Sequence, residues 1–145
     1  MMVEQDTIRL LRECDAGIRM GLSAINDVLD DVSGSGLKQC LRESRSRHER
    51  LRDEIRLLLA KYHDKGKDPN ILAQGMSRLK TNAKLAADPS DATVADLMSD
   101  GCHMGVKSLS RYLNQYKAAD ESSKDIAKRL IVLEEDLGKG VRVYL

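Results

Sequence analysis

Four amphipathic stretches of helical period, set apart by short runs of turn-forming residues, constrain this chain more than any other feature. In the first, Ile8, Leu11, Ile18, Leu22, Ile25 and Leu29 recur at spacings of three, four and seven. Gly17, Gly21 and Ala24 lie beside that stripe, where small residues let a neighbouring helix come close. Ser33-Gly34-Ser35-Gly36 breaks the pattern and offers Ser35 as an N-cap. The second stretch carries Leu37, Leu41, Ser44, His48, Leu51, Ile55, Leu58 and Tyr62, and so short a loop predicts that it runs antiparallel to the first. The third reads Val94, Leu97, Met98, Gly101, Gly105, Leu109, Tyr112 and Tyr116 on one face. The fourth reads Ile126, Leu130, Leu133, Leu137 and Val141, with Gly138 and Gly140 expected to loosen its last turns.

The second and third stretches are not joined by a turn. Asp68-Pro69 is a helix-start signal, and Ile71, Leu72, Met76 and Leu79 support a shorter helix that Asp88-Pro89-Ser90-Asp91 stops. Predicted helices are therefore 4–32, 36–63, 69–86, 91–118 and 121–143, in a single domain spanning 1–145. Each long helix of about 25 residues spans on the order of 38 Å at the usual helical rise. A connection carrying its own helix is long enough to travel that length. An up-down-up-down bundle needs only a short turn there, whereas a ferritin-like bundle needs one long crossover. The expected fold is all-α: a four-helix bundle of ferritin-like topology, with a short extra helix in the crossover.

Composition narrows the function classes. Charged residues make up 32% of the chain, yet the formal net charge is only +1, which argues for a solvated surface and against a nucleic-acid footprint. The arginines of the second helix interleave with acids, and pairs such as Glu43–Arg47 and Arg50–Glu54 sit four apart, where they can satisfy each other. Phe and Trp are absent, so the core must come from aliphatic side chains and base stacking has little to work with. Cys14, Cys40 and Cys102 are odd in number with no C-x-x-C pair, and read as reduced, buried thiols. The N-terminus turns charged and amphipathic at once, and no apolar run approaches the roughly 20 residues needed to span a bilayer. A cytoplasmic protein without a membrane partner is the expectation.

The run MSDGCHMGVKSLSRYLNQYKAAD, with AGIRMGLSAINDVLDD near the start, resembles a family of small bacterial ferritin-like proteins of unknown function. The resemblance covers the chain through the order and lengths of its helices. It implies a four-helix bundle with an extra crossover helix, assembling as an oligomer. Wider ferritin-like relatives bind two metals; no cofactor is the expectation here, with iron or another divalent metal as the alternative to test for.

A di-metal site in such a bundle wants a Glu from each of two helices and Glu-x-x-His from each of the other two, since two hard cations need several anionic oxygens. There is no Glu-x-x-His here: Glu43 and His48 are five apart, and His103, three after Asp100, lies opposite its stripe. His48 nevertheless occupies the centre of the second apolar stripe, where a Leu ordinarily sits. The ordinary reading is a neutral core histidine bonded to a neighbouring helix; the functional one is a metal ligand or a pH-sensitive position. Antiparallel counting brings Glu134 near the height of His48 and leaves Asp15 several residues lower, so the candidate metal set is His48 and Glu134, with Asp15 peripheral. His63 reads as a cation at a helix C-terminus. No nucleophile elbow, phosphate-cradling loop or dinucleotide fingerprint appears.

The reading that remains is a non-enzymatic bundle acting through self-association, as a homo-oligomer such as a dimer, or through a protein partner. Gly101 and Gly105 permit close helix contact, and Tyr112 and Tyr116 are candidate interface residues, since Tyr is favoured there. The competing reading is a metal-binding or oxidative-stress protein with a degenerate ferritin-like site.

Overall fold

The computed structural model describes residues 2–145, except for the side chains of Ile71 and Leu72. Its helices are α1 (Met2–Leu29), α2 (Ser35–Ala60), α3 (Ile71–Ala87), α4 (Asp91–Gln115) and α5 (Glu121–Arg142), with no strand among the described residues. The chain is thus all-helical, and its elements fall where the apolar periodicity puts them, with ends that differ by local chemistry.

Helix α1 stops at Leu29, short of the expected end, because Asp31 and Val32 turn their amides back onto the carbonyls of Val28 and Leu29 and wind off the helix. Val32 stays buried and anchors the turn. Gly34, not Ser35, caps α2, and no side chain of that turn bonds its free amides. Asp91, distant in sequence, instead holds the turn that leads into the helix: its carboxylate accepts from Ser33 N at 2.9 Å and Gly34 N at 2.8 Å. Likewise Asn70, not Asp68, caps α3, accepting from the amide of Ala73, while Asp68 pairs with Arg19. Ser90 and Asp120 cap α4 and α5 through the amides of Thr93 and Ser123. Gly138 and Gly140 do not end α5, which runs through them.

Contacts between helix ends fix the directions. Asp91, at the start of α4, holds the end of α1, while the amides of Ala118 and Asp120, beyond the end of α4, bond to Asp6 and Thr7 at the start of α1. Helices α1 and α4 are therefore antiparallel. Pairs Glu54–Arg129, His48–Glu134 and Arg47–Asp136 run in opposite senses along α2 and α5, so these too are antiparallel. Arg45 meets Asn26 and His48 lies beside Gly21, so α1 and α2 are antiparallel as well; α2 and α4 therefore point the same way, and the connection between them must climb the whole assembly. It does so along α1: Asp64 meets Arg12, Lys67 meets Glu13, Gln74 meets Ser23, Arg78 meets Asp27, and Lys84 finally reaches Asp96 of α4.

The four long helices enclose two apolar clusters. The lower centres on Leu10, Leu11, Ile18, Leu51, Ile55, Leu109, Ile126 and Leu130. The upper centres on Ile25, Val28, Leu37, Leu41, Val94, Met98, Leu137 and Val141. Leu59 is buried and Leu57 lies 71% exposed, so the second stripe ends on a residue adjacent to the expected Leu58, which only packs against its edge. On α4 the buried face runs through Met98, Cys102 and Leu109, so it passes Cys102 instead of Gly101. Between the two clusters lies a polar layer.

A buried histidine–glutamate layer

Each long helix contributes to this layer. From α2 comes His48, fully buried; from α5 comes Glu134, 8% exposed. Their Nε2 and Oε1 atoms are 2.9 Å apart. On the opposite side of the ring, His48 Nδ1 lies 2.7 Å from the carbonyl oxygen of Ser44, one helical turn earlier, with the Ser44 hydroxyl at 3.3 Å. A carbonyl can only accept, so Nδ1 carries a proton and donates it. The short contact between Nε2 and Glu134 then requires one proton between them: either an imidazolium donating to a carboxylate, or a carboxylic acid donating to a neutral imidazole.

The other two helices contribute by leaving space. A Cβ on Gly21 of α1 would stand 2.9 Å from His48 Nε2 and 3.5 Å from Glu134 Oε1. A Cβ on Gly105 of α4 would stand 3.3 Å from Glu134 Oε2. Cys102, one turn before Gly105, sets its thiol beside the Glu134 carboxylate. Burial pushes the Cys102 thiol well above its ordinary value, and the adjacent Glu134 carboxylate pushes it further the same way. The result is a protonated thiol, not a nucleophile. Burial likewise raises Cys14 to about 12, helped by Glu13 and Asp15, and raises the half-buried Cys40, helped by Glu43.

A di-metal centre does not fit this layer. Two hard cations need several anionic oxygens, whereas the layer offers one imidazole and one carboxylate 2.9 Å apart with a single thiol beside them, and the two remaining helices present glycines there. Among the described residues, no group of three or more His, Cys, Asp or Glu side chains is disposed to hold a metal ion.

Asp15 belongs to a different station. It is fully buried beside the start of the crossover, where it accepts from Lys67 N at 3.1 Å and pairs with Arg19 at 3.1 Å. Gly66 has φ +88°, and a side chain there would run into the Asp15 carboxylate. Asp15 therefore clamps the loop between α2 and α3, and its Oδ1 has no hydrogen-bond partner among the described residues. His63 ends α2 in the left-handed region at φ 55°, with the amide of Asp64 returning to Leu59 O, a six-residue closure that usually falls to glycine.

The surface candidates divide in the same way. Tyr112 and Tyr116 stack with ring centroids 6.2 Å apart and pack against the lower core. Burial, and then the nearby Glu13 carboxylate, push the Tyr112 hydroxyl pKa up. Both tyrosines thus have partners inside the chain. Gly105 is occupied by Glu134, whereas nothing approaches Gly101, which lies on the exposed side of α4. His103 is exposed, as its position opposite the stripe implies.

The arginine face of α2 keeps one four-apart pair, Arg45 with Glu49 at 3.9 Å, and otherwise pairs differently from what its spacing predicts. Arg47 reaches across to Asp136 at 3.1 Å, Glu54 takes Arg129 with bonds of 2.6 and 3.0 Å, and Glu43 accepts from Gln39. The four-apart pairs Glu43–Arg47 and Arg50–Glu54 do not form, because α5 offers acids and a bidentate arginine at better geometry. The open recess beside them, lined by Arg47, Arg50, Leu51, Glu54, Arg129 and Val132, does not include His48 or Glu134.

The layer was half visible in advance. His48 and Glu134 are read from stripe position and antiparallel counting. Ser44 and Cys102 are read as buried, but their places against His48 and Glu134 are not, since a stripe identifies what is inside without saying which buried groups meet. No family model, no curated protein and no solved structure matches the chain. No helix among the described residues is long and apolar enough to cross a membrane.

Proposed function

We propose that this chain is a non-enzymatic, cytoplasmic bundle protein of ferritin-like topology that acts by self-association. One observation carries the reading: its densest cluster of chemistry-bearing residues is sealed in the core with internal partners, while large apolar side chains stand outside. His48 is fully buried, whereas Met76, Leu79 and Met104 are 63%, 71% and 70% exposed. A sealed, self-satisfied polar layer specifies how helices pair and offers no substrate a way in. Exposed large aliphatic groups on a water-facing helix do the opposite and favour association. Two helices pointing the same way with a helical crossover between them support the ferritin-like description. Sedimentation or light scattering across a concentration series tests the reading: a species of twice the 16.2 kDa chain mass is expected, and a strict monomer throughout refutes it.

A second reading has its own observation. The bond from His48 Nδ1 to the Ser44 carbonyl is the outer-shell arrangement that orients Nε2 toward a metal. On that reading the protein is a metal-binding or oxidative-stress protein with a degenerate, mononuclear site. Elemental analysis of untagged protein purified without chelators decides it. Near-stoichiometric iron, manganese or zinc, lost in His48→Leu, supports the second reading; metal-free protein removes it.

A further inference from the structure

Helix α3 is tied to the body by side chains that water can reach. Arg78 pairs with Asp27 at 3.4 Å and Lys84 with Asp96 at 3.6 Å, and three of these four side chains are at least 40% exposed. Gln74 and Arg78 bond to the Ser23 hydroxyl at 3.0 and 3.2 Å. From Ala73 to Ala87, Leu85 is the one buried residue, and it alone joins an apolar cluster, the upper one. Each of the four long helices buries five residues or more.

So little burial leaves the attachment dependent on charge. An exposed ion pair shifts an equilibrium by at most about fivefold, and salt screens it. Nor does the segment hold itself in shape: 17 residues with Gly75 among them are marginal as an isolated helix. Release of its contacts is therefore also loss of its helix.

The two ends are fixed without the helix. Before it, buried Asp15 accepts from Lys67 N, and Asp68 pairs with Arg19. After it, Asp91 holds the turn at Ser33 and Gly34. Residues 73–87 can leave while both anchors and the four long helices stay in place. Their departure frees Ser23, Asp27 and Asp96 and uncovers the upper cluster where Leu85 sits.

We propose that α3 is a charge-latched strap: residues 73–87 open as a unit while the four-helix body stays folded, and ionic strength sets how often. Hydrogen–deuterium exchange read by mass spectrometry on the dilute full chain tests it. Sodium chloride at about 0.01 M and about 1 M sets screening lengths of about 30 Å and 3 Å. Amides of 73–87 should exchange ahead of those in the long helices at both salts, and faster at the higher one. Asp27→Asn/Asp96→Asn should speed exchange of 73–87 at low salt, by up to roughly fivefold per pair, flatten the salt response and leave α2 and α5 as they were. Leu85→Ala should speed it at both salts and keep the salt response. Exchange of 73–87 in step with the long helices overturns the strap. Early exchange that ignores both salt and the two asparagines overturns the latch, and the proposal with it.

Discussion

Replacing Gly21 by alanine isolates the polar layer with a single methyl group. On propensity alone the change should help, since glycine in a helix interior is less favourable than alanine by roughly 1 kcal/mol. The new Cβ, however, would stand 2.9 Å from His48 Nε2, closer than nonbonded carbon and nitrogen tolerate. The ring cannot retreat, because its far side is held by the Ser44 carbonyl at 2.7 Å. Overpacking of a tight core costs about 1–3 kcal/mol, and a broken buried ion pair about 3–5 kcal/mol. Set against the propensity gain, the expected net loss is about 2–4 kcal/mol if the bond to Glu134 is lost. Gly17, one turn earlier, is the internal control: its Cβ would meet nothing nearer than Leu130 at 4.0 Å. Gly17→Ala should therefore be neutral to stabilising by up to about 1 kcal/mol. Urea denaturation followed by circular dichroism reads both, as opposite shifts in midpoint at unchanged slope. In a His48→Ala background, Gly21→Ala should recover its propensity gain. Equal stabilisation by the two alanines in the wild-type chain would refute the steric argument.

Three further predictions follow from the same layer and its surroundings. Glu134→Ala should cost about 3–5 kcal/mol by leaving His48 without its partner, whereas the joint His48→Leu/Glu134→Met change should be neutral or stabilising; if both unfold alike, the pair is not the reason. With Cys14 raised to about 12 and the Cys102 thiol raised as well, a thiol reagent should label only Cys40 in folded protein and all three cysteines in urea, and rapid labelling of Cys102 in native buffer would contradict its burial beside Glu134. Arg129 holds the Glu54 carboxyl below its ordinary value, chiefly by hydrogen bonding. Because the folded value is depressed, the contribution is present above the unfolded value and disappears as pH falls through the folded one. The stability gap between wild type and Glu54→Gln, a few tenths of a kcal/mol for so exposed a pair, should close on acidification, and a gap that widens at low pH would reverse the assignment.

Much of the fold was legible in the residues because helical period is a local property. The apolar stripes, the glycine-serine turn and the proline-marked restart each speak for a few neighbouring residues, and each long helix appears where they put it. Even the length of the connection between α2 and α4 is a local count, which is why a crossover was expected. The polar layer was partly legible for the same reason: a histidine at the centre of a leucine stripe stands out, and antiparallel counting reaches Glu134.

What only the tertiary structure decided are the pairings. Ser33 and Gly34 find their acceptor in Asp91, Asp15 turns out to clamp the crossover loop at Lys67, and Arg47 and Glu54 leave their own helix for α5. A one-residue rotation of α4 put Cys102 inside and left Gly101 open, and no local signal distinguishes those two faces when both hold small residues. The orientation of α3 is the clearest case. Its stripe announces a helix, but which side faces the body depended on Ser23, Asp27 and Asp96 waiting on α1 and α4 to take its polar groups. Periodicity records that a face is apolar; the neighbours decide what covers it.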